Sequence, residues 1–274
     1  MSSVERPRLC RFSRGPLAWW EDPAQRADAG VVVAFTERSG GCSDGPFESL
    51  NLAGHVGDAP ESVDENRARL LDALGVGGSR DLLTMAEQVH GAAIAVIHVR
   101  DAGAGAWTTR GRPPVSVTDA LVTGVAGLPL ALCFADCVPI VLVAPGPFVS
   151  VVHAGWRGAL ASLPGTAALR LCSEANCAPA ELVAYIGPHI RACHYEVSPE
   201  IMSQFVYTFG TFARAFSGGL DLDAVVSASL DRAGVAPCNI ARLGVCTAEA
   251  TDRFFSYRAE GCLTGRHGAL VCIL

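Results

Sequence analysis

The sequence contains no lysine, and all 21 of its basic residues are arginine. This absence excludes a Schiff-base lysine, a pyridoxal-phosphate anchor and a phosphate-loop lysine, because arginine cannot supply a deprotonatable or compact amine. An anion that binds to this chain is therefore expected to be held by arginine or by backbone amides.

The sequence also lacks an excess of positive charge and long apolar runs. Its 274 residues carry a formal net charge of −6, whereas nucleic-acid-binding proteins usually present a basic face, so we expect small-molecule partners and no nucleic acid. The uncharged stretch 120–135 is interrupted by Gly124, Gly127 and Pro129, which predicts buried strands and no membrane span. The arginine-containing N-terminus has no continuous apolar segment, so we expect no secretory signal and a cytoplasmic protein.

Eleven cysteines are present, but no Cys-x-x-Cys pair occurs. In a chain without an export signal, this pattern predicts reduced and mostly buried thiols. Cys133 precedes Cys137 by four residues, so in a strand it would face the same side, either next to a site or in the core. Eight others are expected to be packing residues: Cys10, Cys42, Cys172, Cys177, Cys238, Cys246, Cys262 and Cys272.

Hydrophobic periodicity predicts one mixed α+β domain with no internal repeat. Residues 1–30 are expected to form an N-terminal extension or edge segment, and residues 31–274 the catalytic domain. Asp58 is expected to cap a helix that ends near Gly75. Further helices are predicted at 158–172, 199–212 and 221–233, and strands at 31–35, 93–99, 130–134, 138–143, 148–152, 182–186 and 270–274.

Three short segments each place one metal-binding side chain among small residues: His90 in segment 88–91, Cys137 in 135–137 and His153 in 153–158. Structural zinc is usually closed by four protein ligands, whereas a catalytic zinc keeps a position for water or substrate, so three ligands favour a catalytic site. The long spacings do not make a local zinc motif, and each residue has an ordinary alternative as a loop histidine or a buried thiol.

Four other polar residues are candidates for substrate contacts. Arg38 and Arg157 could bind phosphate through both guanidinium nitrogens, and the helix predicted from residue 158 would place Arg157 near a helix N-terminus. Asn51 could hydrogen-bond to the substrate or form a turn. Asp136 could carry a proton, or could position its neighbours, since in an extended segment its side chain points away from that of Cys137.

Nine short segments of the sequence, at positions between 40 and 258, occur in the order seen in the YfiH-like, laccase-domain family. The sequence resembles that family from about Val31 to the C-terminus of the chain. Two departures from the family pattern are Cys42, where valine is usual, and segment 258–260, which replaces a more basic stretch. The matching segments are 40–43, 50–52, 55–58, 65–67, 88–91, 135–137, 153–158, 186–188 and 255–258.

The resemblance implies an α+β fold, a single mixed-sheet layered sandwich domain of the YfiH-like type. It also implies a purine nucleoside enzyme, of a family formerly described as polyphenol oxidases. It implies phosphorolysis of adenosine, inosine and methylthioadenosine, and hydrolytic deamination of adenosine to inosine. It further implies catalysis around a zinc ion bound by His90, Cys137 and His153. Nucleoside and phosphate would be the partners, and the sequence leaves the oligomeric state open.

Three rival interpretations remain at this stage. Two histidines and a cysteine also suit copper, but the seven histidines include no His-x-His pair of the multicopper oxidase kind, which leaves adventitious copper binding. Cys137 could instead be the nucleophile of a hydrolase with His153 as its base. The chain could also be a peptidoglycan-precursor editing factor, a role to which relatives have been linked.

Overall fold

The computed structural model of the protein describes residues 6–146 and 148–274. The strands in these residues are β1 (Cys10–Arg14), β2 (Leu17–Glu21), β3 (Val31–Thr36), β4 (Thr84–Met85), β5 (Ile94–Val96), β6 (Ala120–Thr123), β7 (Leu130–Phe134), β8 (Val138–Ala144), β9 (Phe148–Ala154), β10 (Val183–Ile186), β11 (Ile240–Arg242) and β12 (His267–Ile273). The α-helices are α1 (Pro23–Ala29), α2 (Pro60–Ala73), α3 (Trp156–Leu160), α4 (Leu163–Ala175), α5 (Pro199–Phe209), α6 (Leu222–Arg232) and α7 (Tyr257–Glu260).

The strands form two six-stranded sheets. The first has the order β1-β2-β3-β12-β7-β4 and the second β11-β10-β8-β9-β6-β5. Both sheets are mixed, because β4 pairs with β7, β5 with β6 and β10 with β11 in parallel, whereas the other pairings are antiparallel. The chain passes from the first sheet to the second between β4 and β5, and again between β7 and β8.

The sheets pack face to face, with helices on their outer faces. Alternate residues of a strand face opposite sides, so Val149 and Val151 of β9 join the core between the sheets, whereas Val152 packs with α4, α5 and α6. The outer face of the first sheet packs on α2 through Leu70 and Leu71. The prediction of an α+β layered sandwich is confirmed, with two mixed sheets in its layers.

The N-terminal residues add an edge to the first sheet. β1 pairs with β2, and β2 pairs with β3. Residues 1–5 of the proposed segment 1–30 lie outside the described residues, and the boundary at residue 31 stays a prediction.

Two helix predictions need correction. The helix expected at 158–172 is divided into α3 and α4, because Ser162 adopts a left-handed φ of 58° and Pro164 stands in the first turn of α4. Asp58 does not cap α2, whose N-cap is Ala59 with no side-chain hydrogen bond. The Asp58 carboxylate instead accepts hydrogen bonds from Ser43 and Asn51.

Other elements differ from the predictions mainly at their ends. The strand expected at 93–99 keeps only Ile94–Val96, because a 3-10 turn begins at Val99. α5 ends at Phe209, three residues early, where Gly210 has a φ of 107°. Among the described residues, no helix is long and apolar enough to cross a membrane.

Candidate metal centre and cavity

The three candidate ligands come from separate elements that meet where the chain changes sheets. His90 lies in the loop between β4 and β5, Cys137 ends the connection from β7 to β8, and His153 lies in β9. β8 and β9 are antiparallel neighbours, with Pro139 opposite His153. The ligand atoms of the three side chains all lie within 4.8 Å of one another, so the fold assembles the set that the sequence indicated.

A fourth residue, Asp119, holds two of these side chains in place and was missed by the sequence analysis. Its carboxylate is fully buried and accepts a hydrogen bond from His153 Nδ1 at 2.8 Å. It also accepts the backbone N–H groups of His90 and Gly91 at 3.0 and 2.7 Å. Bonding at Nδ1 leaves Nε2 of His153 free for Cys137 or a metal, as in histidine–metal sites that a carboxylate orients. In the sequence, Asp119 is marked only by its position immediately before the uncharged stretch 120–135.

The cluster stabilises a thiolate. Burial raises the pKa of the Cys137 thiol, but the charge and hydrogen bonds of His153 and His90 outweigh this effect and lower it to about 6. Burial lowers the pKa of His153, but Cys137 and Asp119 together raise it to about 9. At neutral pH the pair is therefore a thiolate beside an imidazolium, and a cation could replace the proton that they share.

Gly155 makes room for the cluster. A Cβ atom at this position would lie 2.9 Å from His90 Cδ2 and 3.1 Å from Cys137 Sγ. Both distances are shorter than ordinary van der Waals contact, so a larger residue would push the two side chains out of place.

The cluster forms part of the wall of a cavity of about 480 Å³. This volume is within the range of small-molecule sites. An adjoining cavity of about 540 Å³ shares His55, Gln88 and Cys133 with it. Besides the three candidate ligands, the first cavity is lined by His55, Gln88, Cys133, Ala135, Asp136, Trp156, Arg157, Tyr195, Tyr257, Arg258 and Arg266.

Three arginines line the cavity, and they differ in how far their guanidinium groups are engaged. Arg258 donates to the carbonyl of Glu196, and Arg266 donates to the carbonyls of Thr264 and Gly265. The Arg157 guanidinium has no hydrogen-bond or salt-bridge partner among the described residues, and it lies 4.4 Å from the centre of the Trp156 ring. It follows the N-cap of a helix of only five residues, so the long helix expected beside it is absent.

Arg38 and Asn51 are not among the residues that line this cavity. The Arg38 guanidinium donates to Glu260 at 2.6 Å and to the carbonyls of Glu48 and Thr251. It is therefore occupied by contacts that join distant loops. Asn51 is fully buried and accepts the N–H of Arg266 at 2.9 Å, so it supports the backbone of a cavity arginine.

Asp136 lines the cavity, but its carboxylate is already well bonded. One oxygen accepts Thr247 Oγ1 at 2.6 Å and Ser256 Oγ at 2.7 Å, and the other accepts the Arg258 N–H at 2.6 Å. Its φ of 87° lies in the left-handed region. These contacts favour a positioning role, because they tie the connection between β7 and β8 to the turn that bears Thr247 and to α7, which bears Arg258.

The fold and the site define a class of protein: a two-sheet α+β sandwich with a His/Cys/His cluster at the connection between its sheets. Residues 32–274 match the model of the family described as "Multi-copper polyphenol oxidoreductase laccase". The chain belongs to this family, the YfiH-like, laccase-domain family whose motifs its sequence carries.

Curated relatives and solved structures agree with this assignment. The chain is 38% identical over 251 residues to the purine nucleoside phosphorylase YlmD of Geobacillus stearothermophilus, covering 89% of this chain and 90% of that one. It is 41% identical over 242 residues to a purine nucleoside phosphorylase of Streptomyces coelicolor, covering 86% and 93%. The crystal structure of Geobacillus YlmD matches with a TM-score of 0.87 and 34% identity, over 97% of this chain and 99% of that one. YfiH of Bacillus licheniformis also gives 0.87, at 28% identity over 96% and 99%.

Proposed function

We propose that the protein is a zinc-dependent purine nucleoside enzyme. It would cleave adenosine, inosine and methylthioadenosine with phosphate, and would also deaminate adenosine to inosine. The observation that carries the proposal is the three-residue His/Cys/His cluster in a cavity with Arg157, whose guanidinium has no hydrogen-bond or salt-bridge partner within residues 6–146 and 148–274. The relatives named purine nucleoside phosphorylase support the choice of substrate.

The donor set suits a zinc ion. His90, Cys137 and His153 would hold it, Asp119 would orient His153, and the three-ligand arrangement would leave a position for water or substrate. The ion would supply a Lewis acid beside the bound nucleoside. The same ligands accept copper, which we regard as adventitious because the sequence lacks the His-x-His pairs needed for further coppers.

The surrounding side chains would bind and orient the substrates. Trp156, Tyr195 and Tyr257 offer aromatic surface for a purine. Arg157 would hold phosphate, because its guanidinium keeps its donors available and matches two phosphate oxygens. A phosphate held next to the ribose would both attack C1′ and stabilise the positive charge that develops on the sugar.

Product analysis tests the proposal directly. Metal-analysed protein is incubated with adenosine, with and without phosphate, and the products are separated by chromatography. We expect adenine and ribose 1-phosphate with phosphate, and inosine without it. If metal-replete protein converts no purine nucleoside in either condition, the proposal is wrong, and a role in peptidoglycan-precursor editing becomes the hypothesis to test.

One specific observation favours a second candidate, a cysteine hydrolase. Cys137, His153 and Asp119 form a thiolate, imidazole and carboxylate series of the kind that activates a nucleophile. Metal content separates the two functions. A metal-free protein that is active, and that thiol alkylation inactivates, would support the hydrolase.

We also propose that the protein acts in the cytoplasm on soluble nucleosides. Its eleven cysteines are all free thiols in the structure, as is usual for proteins of reducing compartments. We expect the enzyme activity to persist when a thiol reductant is present.

A further inference from the structure

A second cluster of metal-binding side chains lies outside the cavity. It comprises Cys193, His194, Cys246 and Glu249, whose ligand atoms all lie within 4.8 Å of one another. Cys193 and His194 end one turn, and Cys246 and Glu249 bracket another. Cys246 is buried and the other three are exposed, so solvent and dissolved ions can reach the cluster.

Five of the six distances between ligand atoms in this cluster are close to those around a single tetrahedral zinc ion, and the sixth, from Cys246 to Glu249, is within 4.8 Å. Zinc bonds of about 2.3 Å to sulfur and about 2.0 Å to nitrogen or oxygen separate two sulfurs by ~3.8 Å, sulfur from nitrogen or oxygen by ~3.5 Å, and nitrogen from oxygen by ~3.3 Å. The two Sγ atoms are 3.9 Å apart. His194 Nδ1 lies 3.2 and 3.8 Å from the sulfurs of Cys193 and Cys246. Glu249 Oε1 lies 3.3 Å from Cys193 Sγ and 3.4 Å from His194 Nδ1.

The backbone beside the cluster also suits a bound metal. The N–H of Arg191 points at Cys246 Sγ over 3.3 Å, a contact that stabilises a metal-bound sulfur.

We propose that Cys193, His194, Cys246 and Glu249 form a second, structural zinc site. Four protein ligands would close the coordination shell, so this site would hold the fold and not activate a substrate. It would join two turns that each continue into the cavity wall. Tyr195, next to His194, lines the cavity, and Thr247, next to Cys246, donates to Asp136.

Metal content measured by mass spectrometry tests this proposal. Wild-type protein, purified with reductant and dialysed against zinc-free buffer, should contain two zinc ions per chain. Cys137→Ala and Cys193→Ala should each reduce this content by half, and the double variant should contain none. Cys262→Ala is the matched control, because Cys262 is an exposed cysteine outside both clusters, and it should keep both ions.

Cobalt substitution gives a second measurement that does not depend on the folding of a Cys193 variant. In Cys137→Ala protein, Co²⁺ should still produce a sulfur-to-cobalt charge-transfer band and the intense visible bands of a tetrahedral site. The proposal is overturned if this protein shows neither, or if wild type contains one zinc that Cys137→Ala removes entirely. A native disulfide between Cys193 and Cys246 that persists in reductant would also overturn it.

Discussion

The two cysteine–histidine clusters use similar donors in different surroundings. The cavity cluster draws three candidate ligands from segments far apart in the sequence, at the connection between two sheets, and it lies open to a cavity. The Cys193–Glu249 cluster draws four proposed ligands from two surface turns. The number of ligands and the neighbouring space, and not the donor types, distinguish a site suited to reaction from one suited to holding the chain.

The clusters also differ in the direction in which they shift the pKa of a thiol. Burial raises the pKa of Cys137, but the charges and hydrogen bonds of His153 and His90 outweigh it and lower the pKa to about 6. Burial and the neighbouring Glu249 and Cys246 raise that of Cys193 to about 11. The first environment therefore prepares a thiolate before a metal binds, whereas in the second the thiolate would form only as the metal displaces the proton.

The largest expected effect is that of Cys137→Ala. Removing the thiolate leaves two histidines to bind the metal, so purine conversion should fall below detection while circular dichroism shows a folded domain. Zinc content and product yield are measured on the same sample, with Cys262→Ala as control. If the variant keeps its full zinc content and activity, Cys137 is not a zinc ligand.

The next effect is that of Asp119→Asn. The Asp119 carboxylate accepts hydrogen bonds from His153 Nδ1 and from three backbone N–H groups, and an amide with only one acceptor oxygen cannot replace all of them. Zinc affinity and activity should both fall by about 10- to 100-fold. Competition with a chelator measures the affinity. Asp231→Asn is a control on an exposed position of α6, and equal effects of the two changes would contradict the role of Asp119.

The residues that could be predicted from the sequence are those marked by their own neighbours. His90, Cys137 and His153 each stand in a distinctive segment. The strands β7 and β8 that flank Cys137, and the strand β9 that carries His153, follow from apolar runs. Asp119 and the Cys193 cluster could not be found in this way, because their roles depend on which loops the fold brings together. Cys246 was assigned to packing, and its proposed partners lie more than fifty positions away along the chain or in a turn without a pattern. Arg38 had a suitable chemistry, but its contact with Glu260 is a tertiary one.

The pH dependence of thiol reactivity separates the clusters. In protein stripped of metal, alkylation of Cys137 should increase as the pH rises through about 6, because the thiolate forms there and not near the ordinary value of 9. Zinc affinity at the cavity should fall as the pH drops below about 6, since protons then compete for the sulfur. Cys193, with its raised pKa, serves as the internal comparison. Mass spectrometry measures the alkylation of each cysteine across the pH range. If Cys137 and Cys193 are modified over the same pH range, the prediction is wrong.

A smaller effect is expected for Arg157→Lys. The ammonium keeps the charge but cannot contact two phosphate oxygens in one plane, so phosphorolysis should fall about tenfold through a higher KM for phosphate. Deamination, which uses no phosphate, should change less. Arg170→Lys is the matched control, because Arg170 pairs with Glu174 on the surface of α4. An unchanged phosphate KM would exclude Arg157 from the phosphate site.

The smallest expected effect is that of Thr247→Val, which tests whether the two regions are coupled. The hydroxyl is fully buried and donates to Asp136 at 2.6 Å, so its loss should lower the free energy of unfolding by about 1–3 kcal/mol. Thr166→Val, at an exposed helical hydroxyl, should change it much less. If zinc at the Cys193 cluster fixes the turn that carries Thr247, the effects of Cys193→Ala and Thr247→Val will not add in a double-mutant cycle measured by urea denaturation. Strict additivity would mean that the surface cluster does not support the cavity wall.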